Sequence, residues 1–132
     1  MKQESTIENR EVFNRHIHSH ALDILDKSIP GGMMGGYLEP GFPLYFINDR
    51  MLQHLGYTYA SFVDAIGGLV ANCMHPDDRE RVDRAVETAF ARGQEYEVQY
   101  RMISRKSGYI WVNDIGKKGV SEDGRAVCIS VV

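Results

Sequence analysis

The stretch that most restricts the possible folds is Tyr96 to Val112, YEVQYRMISRKSGYIWV. Its first half alternates: Tyr96, Val98, Tyr100 and Met102 point one way, and Glu97, Gln99, Arg101 and Ser104 the other. Period two is the mark of a strand with one buried and one wet face. Arg105, Lys106, Ser107 and Gly108 then form a polar cluster ending in the residue that best tolerates a positive φ. A second run, Tyr109 to Ile115, is rich in aromatic and β-branched residues. The two runs predict a long antiparallel hairpin, so the rest of the chain must cover one face of a sheet.

The totals are those of one ordinary globular domain with an appendage. The chain has 132 residues, 43% of them hydrophobic and 25% charged, and a formal net charge of −3. No basic surplus is present to attract nucleic acid or an anionic membrane. The longest apolar runs fall well short of the roughly 20 residues that a spanning helix needs. The polar N-terminus, MKQESTIENREVFNR, has the pattern of neither a signal peptide nor an anchor. Cys73 and Cys128 lack metal-type spacing and read as reduced, small, semi-buried residues, which places the chain in the cytoplasm.

Residues 1–28 predict a helix with an apolar stripe of Phe13, Ile17, Ala21 and Ile24, stopped by Ile29-Pro30-Gly31-Gly32. His16 and His20 stand four apart on it, but solvated polar side chains account for them. Gly31 to Tyr37 and Leu44 to Ile47 read as two short strands joined by a Pro-Gly turn. Short helices follow at Arg50 to Leu55 and Tyr59 to Ala65, each closed by glycine, with Leu69 to Met74 left ambiguous between coil and one more turn. The longest internal helix opens at His75-Pro76-Asp77-Asp78, with proline in its first turn and acidic residues at the positive end of its dipole. Its inner stripe is Val82, Ala85, Val86, Ala89 and Phe90. After the hairpin, Asp123-Gly124 marks a tight turn into a last strand, Arg125 to Val132. The expected fold is α+β: a five-stranded antiparallel sheet with short helices and one longer helix on one face. The abrupt end on a strand is what a piece of a longer protein would show.

Three stretches together resemble the PAS domain family, over about Ile29 to Val132. Asn48 through Gly56-Tyr57 is similar to the family's "N…LGY" segment. Met74-His75-Pro76-Asp77-Asp78-Arg79 is similar to the "HPDD" opening of its long helix. Tyr96 to Met102 followed by Gly108 to Val112 is similar to its "EYR…DG…WV" hairpin. The resemblance implies a division into a flanking helix, 1–28, and a PAS-like sensory domain, 29–132. It implies a sensory module of a larger bacterial signalling protein, working through flanking helices on a histidine kinase or diguanylate cyclase effector. It also implies homodimerisation through the flanking helix, to which Phe13, Ile17 and Ile24 would contribute, with Trp111 if it lies on the outer face of the sheet. The alternative function is a ligand-free dimerisation or protein-interaction module.

Some family members bind haem through a histidine on the long helix, but residues 79–92 contain none. Others form a flavin adduct with a cysteine. Asn72-Cys73 resembles that motif superficially, but its flanking residues and the ring-holding Asn and Gln set are missing. No cofactor is therefore expected, and an unknown small ligand would sit in an apolar pocket lined by Ile47, Leu52, Leu55, Phe62, Tyr100 and Met102. Those side chains would equally well pack together and leave no cavity. Catalysis is not expected. Asp77 and Asp78 diverge by about 100° on a helix, and His54 has no identifiable partner.

Overall fold

The alternation at Tyr96–Met102 does build the central hairpin. In the computed structural model, which describes residues 31–132, β3 (Tyr96–Ser104) and β4 (Gly108–Val120) pair antiparallel from Tyr96↔Gly116 to Ser104↔Gly108. Gly108 closes the turn with φ 82°. Ser104 differs from expectation. The strand keeps its alternation to the end, so Ser104 faces inward with Met102, buried, and its Oγ accepts the Ser107 N–H at 3.3 Å. β4 also runs five residues past the apolar stretch. Its Lys117-Lys118-Gly119 segment pairs with β5 (Ala126–Val131) although its side chains give no strand signal.

β1 (Met33–Tyr37) and β2 (Leu44–Ile47) form the expected second hairpin, and β1 pairs with β5. The sheet order is β2-β1-β5-β4-β3, all antiparallel. Glycines make this possible in β1: a Cβ on Gly35 would stand 2.8 Å from the Cys128 carbonyl oxygen.

One face of the sheet is covered by the segment between β2 and β3. Asn48 caps α1 (Asp49–Leu55) by accepting the Met51 N–H, and the same oxygen accepts the Met33 N–H, tying the helix start to β1. Thr58 and Ser61 form a capping box on α2 (Tyr59–Ile66). The ambiguous segment is a 3-10 turn, Val70–Cys73. α3 (Pro76–Ala91) follows, with the His75 imidazole accepting the Asp77 N–H. Inward residues of all three helices and the even-numbered positions of β3 and β4 share one core containing Leu55, Phe62, Ile66, Val82, Val98 and Met102. Each such fully buried side chain stabilises the fold by about 1.5–3 kcal/mol.

β3 is an edge strand, and α3 protects it. His75 N–H donates to the Arg101 carbonyl at 2.8 Å, and the Arg81 guanidinium donates to the Gln99 carbonyl at 2.7 Å. The buried Asp78 carboxylate accepts three bonds from Arg101: its backbone N–H at 2.9 Å, its Nε at 3.0 Å and its Nη2 at 2.8 Å. These contacts occupy groups that an open edge would offer to another strand. The Arg101 guanidinium and backbone N–H bonds hold the Asp78 carboxyl below the ordinary carboxylate range, with burial opposing them. A depressed folded value gives stability that is present above the unfolded value, 3.8, and is lost as pH falls through the folded one. Asp78→Ala should therefore lower the urea midpoint at pH 7. The gap to the unsubstituted protein should narrow below pH 3.8, as urea titrations across that range would read out.

Candidate functional site

The alternation that places Val98 and Tyr100 in the core also delivers an aspartate to it. Asp114 on β4 stands opposite Val98, with Tyr96 and Tyr100 two residues to either side on the same face. Its side chain is buried, the residue being 4% exposed. Tyr96 Oη donates to Oδ1 at 3.0 Å and Tyr100 Oη donates to Oδ2 at 2.7 Å. Gly116 makes the first of these bonds possible. It pairs with Tyr96, and a Cβ there would lie 2.5 Å from the phenol ring. The ring therefore lies across bare backbone and turns its hydroxyl back toward Asp114, with the Phe90 ring edge-on to it at 5.7 Å.

β5 completes the cluster. Cys128 Sγ is 3.2 Å from Tyr96 Oη, and Ser130 Oγ donates to the Met34 carbonyl at 3.2 Å. These groups share an internal cavity of about 30 Å³ with apolar walls that include Met34, Val70 and Val82. That is room for about one water-sized group. Beyond it, a surface groove of about 840 Å³ runs between the β1–β2 loop and α3. Phe42, Met74 and Val86 touch both spaces and so form the partition. Phe42 has φ +51°, uncommon for a bulky residue. Its carbonyl accepts the Val70 N–H and the neighbouring Gly41 carbonyl accepts the Ala71 N–H, which fixes the loop against the 3-10 turn.

Burial raises the Asp114 carboxyl above its ordinary value, while the tyrosine and serine hydroxyls pull it back. Among the described residues no cation enters this balance. Burial and the nearby carboxylate push both tyrosines up, and burial pushes the Cys128 thiol up to about 12. The hydroxyls and the thiol are thus neutral donors around one acid.

Of the residues expected to line a pocket, Tyr100 does so. Ile47, Leu52, Leu55, Phe62 and Met102 are buried in the same core but do not border the cavity, which lies nearer α3 and β5. Cys73 is a fully buried free thiol, pushed up to about 12 by burial, and Cys128 is likewise free. Trp111 is 66% exposed on the outer face, with the Arg101 guanidinium 5.3 Å from its ring, while Ile110 and Val112 pack toward the core. Phe13, Ile17, Ile24 and the expected 1–28 helix lie outside the described residues. Asp114, Cys128 and Ser130 escape a reading by hydropathy, because a polar residue in an alternating strand is normally assigned to the wet face. The missing signal is register. A turn at Arg105–Ser107 sets Gly108 opposite Ser104, which puts position 114 on the face of the tyrosines.

A family model described as PAS fold matches residues 44–132, and the chain belongs to that family. Solved structures agree in fold. The N-terminal domain of a diguanylate cyclase with PAS/PAC sensor from Marinobacter aquaeolei is 22% identical with TM-score 0.54, covering 76% of this chain and 91% of that one. A sensory box histidine kinase/response regulator from Burkholderia thailandensis is 18% identical with TM-score 0.57, covering 84% and 82%. The PAS-B domain of Drosophila melanogaster Cycle, with bound ethylene glycol, is 13% identical with TM-score 0.60, covering 76% and 99%. An uncharacterized protein of Sinorhizobium fredii, y4lL, is 38% identical over 53 residues, which are 40% of this chain and 6% of that protein's length. The family match takes in β2 to β5, and β1 belongs to the same five-stranded sheet. Among the described residues no helix is long and apolar enough to cross a membrane.

Two outcomes follow from the cluster. A carboxyl raised by folding gives stability that is full below its unfolded value and lost as pH rises through the folded one. The stability of Asp114→Asn relative to the unsubstituted protein should therefore grow as pH rises from 3.8, read by thermal melts in a pH series. Gly116→Ala should cost about 1–3 kcal/mol in urea unfolding by overpacking, and should displace the Tyr96 ring, visible as a changed tyrosine environment in near-ultraviolet circular dichroism.

Proposed function

We propose that this chain is the sensory module of a larger signalling protein, and that a small molecule entering from the α3 groove is its signal. The observation that carries this reading is the internal cavity, where a buried carboxylate, two phenols and a thiol meet in an otherwise apolar core. A buried charge without a counter-ion costs stability, and groups so placed concentrate at functional sites. The partition between cavity and groove includes a flexible Met74 and a backbone-strained Phe42, so it is suited to rearrangement. A cavity of about 30 Å³ is far below the several hundred Å³ that larger ligands fill, which supports a small ligand over haem or flavin. Occupancy would bias two packings of α3 against the sheet, and flanking segments would pass that bias to an effector. The fold shared with domains of a diguanylate cyclase and a histidine kinase is the support for an effector of either type.

The second reading, a homodimerisation module without ligand, is favoured by the outer sheet face, where Trp111 and Ile115 are exposed. Native mass spectrometry of freshly purified protein, beside a denatured control, separates the two. The sensor reading expects extra mass that disappears on denaturation. A bare mass at dimer stoichiometry would favour the second.

A further inference from the structure

The donors and acceptors around the cavity can be counted. Tyr96 and Tyr100 each have one hydroxyl proton, and both are given to Asp114. With the Tyr96 proton committed to the carboxylate, the Cys128 thiol is the donor in its contact with Tyr96. The Ser130 hydroxyl proton goes to the Met34 carbonyl. Every side-chain donor in the cluster is used internally. What remains are acceptors. A carboxylate offers about four lone-pair sites; the two phenols take two and the Ser130 hydroxyl also acts on the group, which leaves acceptor capacity, and the phenol oxygens keep lone pairs of their own. The aromatic side chains of Tyr96, Tyr100 and Phe42 also line the cavity.

From this count we propose that the cavity binds the head of a primary alkylammonium compound, with Asp114 as its counter-ion and its alkyl chain passing between Phe42, Met74 and Val86 into the groove. This names the ligand class for the sensory reading above and rests on it. An ammonium group has three donors and no acceptor, which complements a site rich in acceptors and without free donors. Its head is about the size of a water molecule, which matches the cavity volume of about 30 Å³. The partition it would pass is apolar, as an alkyl chain requires. A carboxylate ligand would face Asp114 with like charge. A neutral alcohol would bring one donor to the same place without the charge.

Among the described residues, the cations nearest the cavity do not fill the role. Lys118 faces the same side of β4 four residues on, about 13 Å along the strand from Asp114, and it lines the outer groove. Arg79, also on the groove, donates its Nε to the Met74 carbonyl. On the rim, Glu39 pairs with Arg125 and Glu80 with Arg84, leaving Asp83 and Glu87 to balance Arg79 and Lys118. The rim is thus electrically even, and discrimination falls to the cavity.

The test uses the full chain, with n-butylammonium, n-butanol, butyrate and n-butyltrimethylammonium as probes, in calorimetric titrations paired with amide chemical-shift mapping. The expected result is that n-butylammonium binds about tenfold tighter than n-butanol, the difference between a charge-assisted and a neutral hydrogen bond. Butyrate should be the weakest, and the shifts should centre on Tyr96, Tyr100, Asp114 and Phe42. In Asp114→Asn, with an unchanged circular dichroism spectrum, the preference over n-butanol should collapse to about twofold or less. If that variant does not fold, the trimethyl probe decides, since its head has no N–H and exceeds the cavity, and it should bind at least about tenfold more weakly than n-butylammonium. Binding of n-butanol as tight as that of n-butylammonium, with shifts at the cavity, would overturn the ammonium assignment and leave the sensory pocket standing. Shifts at no cavity residue with any probe would overturn both.

Discussion

The hydrogen-bonded register between β3 and β4 is the constraint on which the remainder depends. From Ser104↔Gly108 it runs without a bulge to Tyr96↔Gly116. Because side chains alternate strictly, a slip of one residue would put either Tyr96 and Tyr100 or Asp114 on the solvent face and part the phenols from the carboxylate. The same register sets a ring against a glycine. Tyr96 needs Gly116 opposite it, and only with the ring laid across that backbone does its hydroxyl reach Asp114. The core and the polar cluster are therefore one decision, made at the turn around Arg105–Ser107.

That decision would leave β3 an open edge, and α3 answers it. Asp78, Arg81 and His75 address the backbone or side chains of Gln99 and Arg101, so the helix is attached along the strand's outer edge as well as through Val82 and Val86 in the core. The attachment is strongest near the helix N-terminus. Along the same helix, Arg79, Glu80, Asp83, Val86, Glu87 and Phe90 border the groove. The helix thus joins the strand edge to the groove, with charge-assisted bonds on one side and open space on the other.

The architecture was legible in the sequence wherever local chemistry and long-range packing agree. The β3–β4 alternation, the Pro76 helix start, the glycine stops at Gly56 and Gly67 and the Asp123-Gly124 turn each follow from a residue's own preferences. The site was much less legible. Tyr100 was accessible as an inward position, but Ile47, Leu52, Leu55, Phe62 and Met102 were grouped with it on hydrophobicity alone, and hydrophobicity cannot tell a packed core from a cavity wall. Asp114 runs against hydropathy, and its burial is set by partners 14 and 18 residues away. Cys128 and Ser130 reach the same place from β5, the last strand in the chain, which lies between β1 and β4 in the sheet. Lys117 and Lys118 hid the length of β4, because their strand conformation comes from pairing with β5 and not from their own preference.

The backbone of Phe42 has a consequence for time as well as for space. Its left-handed conformation is held by the 3-10 turn through the Phe42 and Gly41 carbonyls, and Glu39 is anchored to Arg125 at the other end of the loop. Were a molecule held behind Phe42, the fastening of that loop would slow its departure in addition to the strength of its contacts. Two ligands of equal affinity could then differ in dwell time. The duration of occupancy would then depend on how firmly one loop is fastened.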